Sequence, residues 1–177
     1  YCSIINSDHG LAIGARHITI STCGVVPRIY DFANAHVQYN LAISLHASND
    51  ALRKKLMPID KAYPMDVLMK ALRTYSTDNH RRITFEYILL DGVNDSDENA
   101  IELANEIRGM NAYVNLIPYN QVDENGYRST DPKKALHFYD VLMKHGVTAT
   151  LRTKHGEDID AACGQIRAKH EMNKGNA

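Results

Sequence analysis

An α/β fold, with a mostly parallel sheet and helices on its outside, is what the sequence predicts, and three observations predict it. Short β-branched or aromatic runs alternate with longer segments whose apolar residues recur at helical spacing. Pro, Gly, Asn and Asp punctuate the junctions. Five such runs, each separated from the next by a helical segment, imply βαβ units with right-handed crossovers. Five strands fall short of the eight of a closed (β/α)8 barrel, which takes about 250 residues. An open sheet or part of a barrel follows, with ligands expected at the carboxyl ends of the strands.

The elements can be justified in order. His17 to Thr22 alternates in period two and stops at Cys23-Gly24, a strand ending in a turn. A helix is expected from Pro27 to Ala35, then a strand from Tyr39 to His46. Ser48-Asn49-Asp50 offers caps for a short helix that Pro58 ends. Pro64 introduces a longer helix whose Val67, Leu68, Ala71, Leu72 and Tyr75 should face the sheet. Arg82 to Leu90 is the strongest strand, closed by Asp91-Gly92. Asp95, with Glu98 three residues on, signals a capped helix carrying Ile101, Leu103, Ala104 and Ile107. Tyr113 to Ile117 is a strand stopped by Pro118. Asp131-Pro132 starts a helix with Leu136, Tyr139, Val141 and Leu142, and Gly146 follows its end. Val147 to Arg152 is the fifth strand.

Composition narrows the function classes. The 177 residues are 44% hydrophobic and 23% charged, which suits a single globular domain over 1–177 and not a disordered tail. Cys2, Cys23 and Cys163 are odd in number and far apart, unlike a secreted disulfide framework, so a reducing, cytoplasmic setting is expected. Lys and Arg total 20 against 21 Asp and Glu, so no broad basic field points to nucleic acid or anionic lipid, and RNA contacts would be local. No apolar run approaches the roughly 18–20 residues of a membrane span, so no membrane partner is expected. Tyr1-Cys2-Ser3-Ile4-Ile5-Asn6 has neither an initiator Met nor a basic n-region and reads as a cut inside something longer.

The predicted strand ends are polar: Ser21-Thr22, Ser44-Leu45-His46, Pro118-Tyr119-Asn120, and Arg152-Thr153-Lys154-His155. Each could be an ordinary turn former. Four ends agreeing on hydroxyl, imidazole and amide groups suit a ligand with a ribose and an amino-acid moiety. The nine histidines form no H-x-x-x-H pair, and no C-x-x-C occurs, so no metal is assigned to this chain. Cys163, in Asp-Ile-Asp-Ala-Ala-Cys-Gly-Gln, is either a small buried hydrophobe or a nucleophile activated by Arg152, Lys154 and His155 nearby.

Ile20-Ser21-Thr22-Cys23-Gly24-Val25-Val26-Pro27, Leu41 to Ala47, Asn115 to Asn120 and Asp158 to Gln165, in this order and spacing, resemble the carboxy-terminal half of the RlmN/Cfr family of radical S-adenosylmethionine (SAM) RNA methyltransferases. The resemblance implies part of a radical-SAM (β/α)6 partial barrel, with SAM contacted by Ser21, Ser44, Leu45, His46 and Asn120. It implies that Cys163 is itself methylated, as adenine C2 is too electron-poor to attack the SAM methyl and a thiolate is not. In the family scheme a second SAM, cleaved at a [4Fe-4S] cluster fed by an electron donor, activates that methyl for transfer. The implied partners are 23S rRNA and a tRNA adenosine beside the anticodon. Lys154 to Asp160 is more like the RlmN branch, which modifies C2, than the Cfr branch, which modifies C8 and confers antibiotic resistance.

The cluster needs three cysteines in a C-x-x-x-C-x-x-C motif, and Cys2, Cys23 and Cys163 lack that spacing. The motif, the resolving cysteine and a helical RNA-binding extension are therefore expected upstream of Tyr1, and this chain is expected to be inactive alone. Cys23 stands where many relatives carry serine. A non-catalytic nucleotide-binding α/β module would use the same strand ends but gives Cys163 no role.

Overall fold

The run Ile-Thr-Phe-Glu-Tyr-Ile-Leu decides the layering of the molecule. Side chains alternate across a strand, and in β3 (Ile83–Leu89) Ile83, Phe85, Tyr87 and Leu89 are buried while Thr84, Glu86 and Ile88 are only partly covered. The computed structural model describes residues 18–35, 39–79, 81–120 and 126–152. In it β3 is the centre of a five-stranded sheet with β1 (Thr19–Thr22), β2 (Asn40–Ser44), β4 (Ala112–Pro118) and β5 (Thr148–Leu151). All neighbours run parallel, and the spatial order follows the chain order. A doubly wound sheet reverses its order partway; this one does not, and so has the arrangement of a barrel wall.

Right-handed crossovers between successive neighbours place the helices on one face. These are α1 (Val26–Asn34), α2 (Asp50–Leu56), α3 (Met65–Asn79), α4 (Asp97–Glu106) and α5 (Pro132–Lys144). The core lies between them and the sheet: Leu41, Ile43, Ile83, Phe85, Tyr87, Leu89, Val114 and Leu116 meet Ile29, Leu68, Leu72, Tyr75, Leu103, Phe138 and Leu142. Tyr87 packs against Phe138 with ring centroids 5.4 Å apart and donates its hydroxyl proton to the Asn94 carbonyl at 2.7 Å. Burial pushes that phenol far up from its ordinary range.

Local chemistry sets the helix starts. Asn49 accepts from the Leu52 amide and caps α2, and Asp131 accepts from the Lys133 amide and caps α5. The start of α4 differs from the sequence expectation by one residue. Ser96 and Asn99, not Asp95 and Glu98, form the capping box. Asp95 is buried and does something else: it accepts from Thr130 Oγ1 at 2.8 Å and from Lys134 Nζ at 2.7 Å, joining the loop after β3 to the start of α5. Pro118 does not stop β4 but is its last residue, paired with Leu89. Val67, expected to face the sheet, is 41% exposed.

One buried ion pair fastens the segment after β1. Arg53 and Asp60, both fully buried, meet at 2.6 Å, and Arg53 also donates to the Cys23 carbonyl at 2.7 Å and the Tyr63 carbonyl at 3.2 Å. Gly24, at φ +104°, lies under that guanidinium; a Cβ there would stand 2.8 Å from Arg53 Nη2. Glycine is required on both counts.

Candidate functional site

The face of the sheet opposite the helices carries the chemistry. Strand register lines up Ser44 with Glu86, Glu86 with Asn115, and Asn115 with Thr150, a polar row across four strands. Ser44 Oγ donates to Glu86 Oε2 at 3.1 Å, and Ser21 Oγ, from β1, donates to the same oxygen at 3.5 Å. Thr150 Oγ1 donates to Asn115 Oδ1 at 3.3 Å. Strands buried on both faces read as continuous apolar runs, so a row of this kind marks a face built for a ligand or for water.

Above the row, just past the carboxyl end of β2, come Leu45 and His46. Their amides both donate to the Glu86 carbonyl, at 3.0 and 3.2 Å. The Leu45 side chain is wholly buried in the core, so any contact it makes with a ligand is through its backbone. His46 is, among the described residues, the one non-glycine with positive φ, at 55°. Such a conformation costs about 1–3 kcal/mol and persists where its surroundings fix it. Here they do: the Ile88 amide donates to His46 Nδ1 at 3.1 Å, and Asn94 Nδ2 donates to the His46 carbonyl at 2.9 Å.

The bond from Ile88 leaves Nδ1 without a proton, so the neutral ring carries its hydrogen on Nε2. Burial holds the imidazole below the usual histidine range; the Glu86 carboxylate opposes that shift and the Arg53 guanidinium adds to it. His46 is therefore a neutral donor at the rim. Asn94 is wholly buried, and its side chain also donates to the Ile88 carbonyl at 2.7 Å and accepts from the Leu90 amide at 2.8 Å. The loop after His46 is anchored in turn. Asn49 Nδ2 and Ser48 Oγ donate to Glu102 Oε2 at 2.8 and 2.7 Å and hold that carboxyl below its ordinary range.

Of the residues singled out in the sequence, Ser21, Ser44, Leu45 and His46 gather around Glu86 at adjacent strand ends. Asn120 lies two residues beyond the end of β4 and is exposed. Cys163, and with it Lys154 and His155, lies outside the described residues. Sequence reasoning passed over Glu86, Asn115, Thr150 and Asn94. For Glu86 the signal was present, since alternation in Ile83–Leu89 puts it opposite the apolar set. Asn94 carried no signal, because its partner His46 is 48 residues away. Among the described residues no group of three or more His, Cys, Asp or Glu could hold a metal ion.

Comparisons with known proteins bear on this arrangement. No family model matches the chain. It is 58% identical over 172 residues to a probable dual-specificity RNA methyltransferase RlmN of Spiroplasma citri, covering 97% of this chain and 49% of that protein. It is 53% identical to the Staphylococcus carnosus protein of the same name, covering 97% and 47%. The chain thus spans about half the length of the curated relatives it matches. The crystal structure of a radical SAM methyltransferase from Sphaerobacter thermophilus superposes with a TM-score of 0.84 at 45% identity, covering 93% of this chain and 48% of that one. The parallel sheet with flanking helices has that structure's partial-barrel architecture. A domain of pyruvate-formate lyase-activating enzyme from Bacteroides vulgatus shares the fold, with a TM-score of 0.60 at 15% identity.

Proposed function

We propose that this chain, which belongs to the RlmN family, forms the SAM-binding wall and carries the methyl-accepting cysteine of a radical SAM methyltransferase. The adenosine methylated at C2 is one in 23S rRNA, and a second substrate is a tRNA adenosine beside the anticodon. The observation that carries the reading is the 58% identity over 97% of the chain to a protein named as a probable dual-specificity RNA methyltransferase. The polar row on the inner face supports it physically, since hydroxyls, a carboxylate and a neutral imidazole donor suit a ligand with a ribose and an amino-acid end.

In this reading Ser21, Ser44, His46, the Leu45 backbone and Asn120 hold SAM. When bound, SAM supplies an electrophilic methyl group and, with a reduced [4Fe-4S] cluster, the radical chemistry needed to functionalise an unreactive carbon. Cys163 does what adenine C2 does not do: its thiolate would take the methyl carbon from the sulfonium, with S-adenosylhomocysteine as the leaving group, and so hold that carbon ready for the base. His46, neutral at physiological pH, donates from Nε2 without placing a second positive charge beside a cationic sulfonium. The cluster does not fit the donors of this chain, because Cys2, Cys23 and Cys163 do not form C-x-x-x-C-x-x-C. The 177 residues alone, reconstituted with iron and sulfide, are expected to give no cluster absorbance band; such a band would refute this.

The function is tested in a deletion strain complemented with the complete gene, by mass spectrometry of rRNA and tRNA. The parental gene restores 2-methyladenosine, and C163A leaves the adenosine unmodified. Methylation at the parental level in C163A rules out the assigned role of Cys163, and a product at C8 places the enzyme in the Cfr branch.

A further inference from the structure

We infer that Glu86 is a ligand-binding group of the inner wall, and that it makes Ser21 and Ser44 acceptors, so that the wall selects a nucleoside by its hydrogen-bond donors and rejects phosphate. The inference rests on the SAM reading and adds to it a residue and a rule of selection.

Glutamate is depleted in strands, most of all in the central strand of a parallel sheet. Glu86 occupies such a position, half-buried, between Ser44 and Asn115. A carboxylate taken partly out of water needs compensation. Among the described residues it receives none from a cation, since no described ion pair includes it. Its described side-chain partners are the two hydroxyls, both on Oε2.

The direction of those bonds is fixed by chemistry. A carboxylate accepts only, and each serine has one hydroxyl proton. Ser44 therefore commits its proton to Glu86 at 3.1 Å, and Ser21, reaching the same oxygen at 3.5 Å, directs its own there more weakly; both leave lone pairs for a ligand. Glu86 Oε1 accepts no bond among the described residues. The resulting patch, comprising Oε1, Ser21 Oγ and Ser44 Oγ, is negative and consists of acceptors alone. It matches O–H or N–H groups and repels phosphate oxygens. SAM has such donors in three places, its adenine amino group, its ribose hydroxyls and its ammonium group, and carries no phosphate.

The experiment is calorimetric titration of the full-length protein with S-adenosylhomocysteine, methylthioadenosine, 2′-deoxy-methylthioadenosine and ADP, for wild type and E86Q. The amide of E86Q keeps one oxygen for the serines, so the unfolding temperature without ligand should stay within a degree or two. Binding of S-adenosylhomocysteine should weaken roughly 10-fold or more, as expected for loss of a bond to a charged group. If the ribose 2′-hydroxyl is the donor, methylthioadenosine loses as much, and the deoxy analogue loses nothing further in E86Q; if the 3′-hydroxyl or the adenine amino group is the donor, the deoxy analogue loses as much as methylthioadenosine. If the ammonium is the donor, the loss appears with S-adenosylhomocysteine alone. Equal affinity of wild type and E86Q for all ligands overturns the inference while leaving the SAM reading intact. Failure of wild type to bind S-adenosylhomocysteine overturns that reading and the inference with it. Should E86Q not fold, wild type decides: ADP binding as tightly as methylthioadenosine overturns the selection rule.

Discussion

His46 illustrates how much of this site is set by single side chains. Its ring, its amide and its carbonyl are each bonded, to Ile88, Glu86 and Asn94, and together they hold a backbone conformation that histidine does not favour. Its place at the end of a strand made it visible in the sequence. What it does there depended on Ile88 and Asn94, neither of which carries a pattern that would announce it. Long-range ¹H–¹⁵N spectra should show the Nε2–H tautomer, with Nδ1 unprotonated. The pH dependence follows from the same burial. The folded-state pKa is lowered from about 6.5, so the unfolded chain takes up the proton first; the stability due to the neutral ring is complete above that value and is lost as pH falls through it and then through the lower folded value. H46Q should flatten denaturant midpoints across that interval. N94A, which strands the Leu90 amide and two carbonyls, should cost at least about 1–3 kcal/mol in denaturant unfolding and alter the His46 ring signals.

At the scale of elements, the turn after β1 owes its position to α2 and the short 3-10 turn Pro58–Lys61 that follows it. Arg53 and Asp60 close over the Cys23 carbonyl, which anchors the carboxyl end of the strand that bears Ser21. Removing one partner leaves a buried charge alone, so R53M should lower stability by about 3–5 kcal/mol, and the double variant R53M/D60L should regain most of it. Failure of the double variant to recover would mean that the bonds to Cys23 and Tyr63, and not the charge pair, are what matter. The sequence marked α2 through Asn49 and Pro58, which are local signals, yet gave no hint that Arg53 is its buried residue, since periodicity treats arginine as surface. The cap of α4 was misplaced by one residue for a related reason. Asp95 and Ser96 are equally good caps by type, and only the distant Thr130 and Lys134 decide which one is drawn away.

At the scale of the molecule, the architecture was legible because it is written twice, in the period of two along each strand and in the alternation of strands with helical segments. The division of the sheet into two faces was less legible. Polar strand ends drew attention to the rim, while the row Ser44, Glu86, Asn115 and Thr150 emerges only when register sets the four side by side. F85A should cost about 3–5 kcal/mol in unfolding, as large-to-small changes in a core do, whereas T150S, on the opposite face, should change stability by less than about 1 kcal/mol; similar losses from both would mean that the faces are not so divided. The strict alternation in Ile83–Leu89 also sets how the gene can vary. Deleting one codon there would carry every later residue of the strand to the other side, sending charge into the core and aromatic rings into the site. Substitutions can accumulate on either face separately, but the length of this segment cannot drift by one, so homologous sequences should differ here in letters and never by a gap.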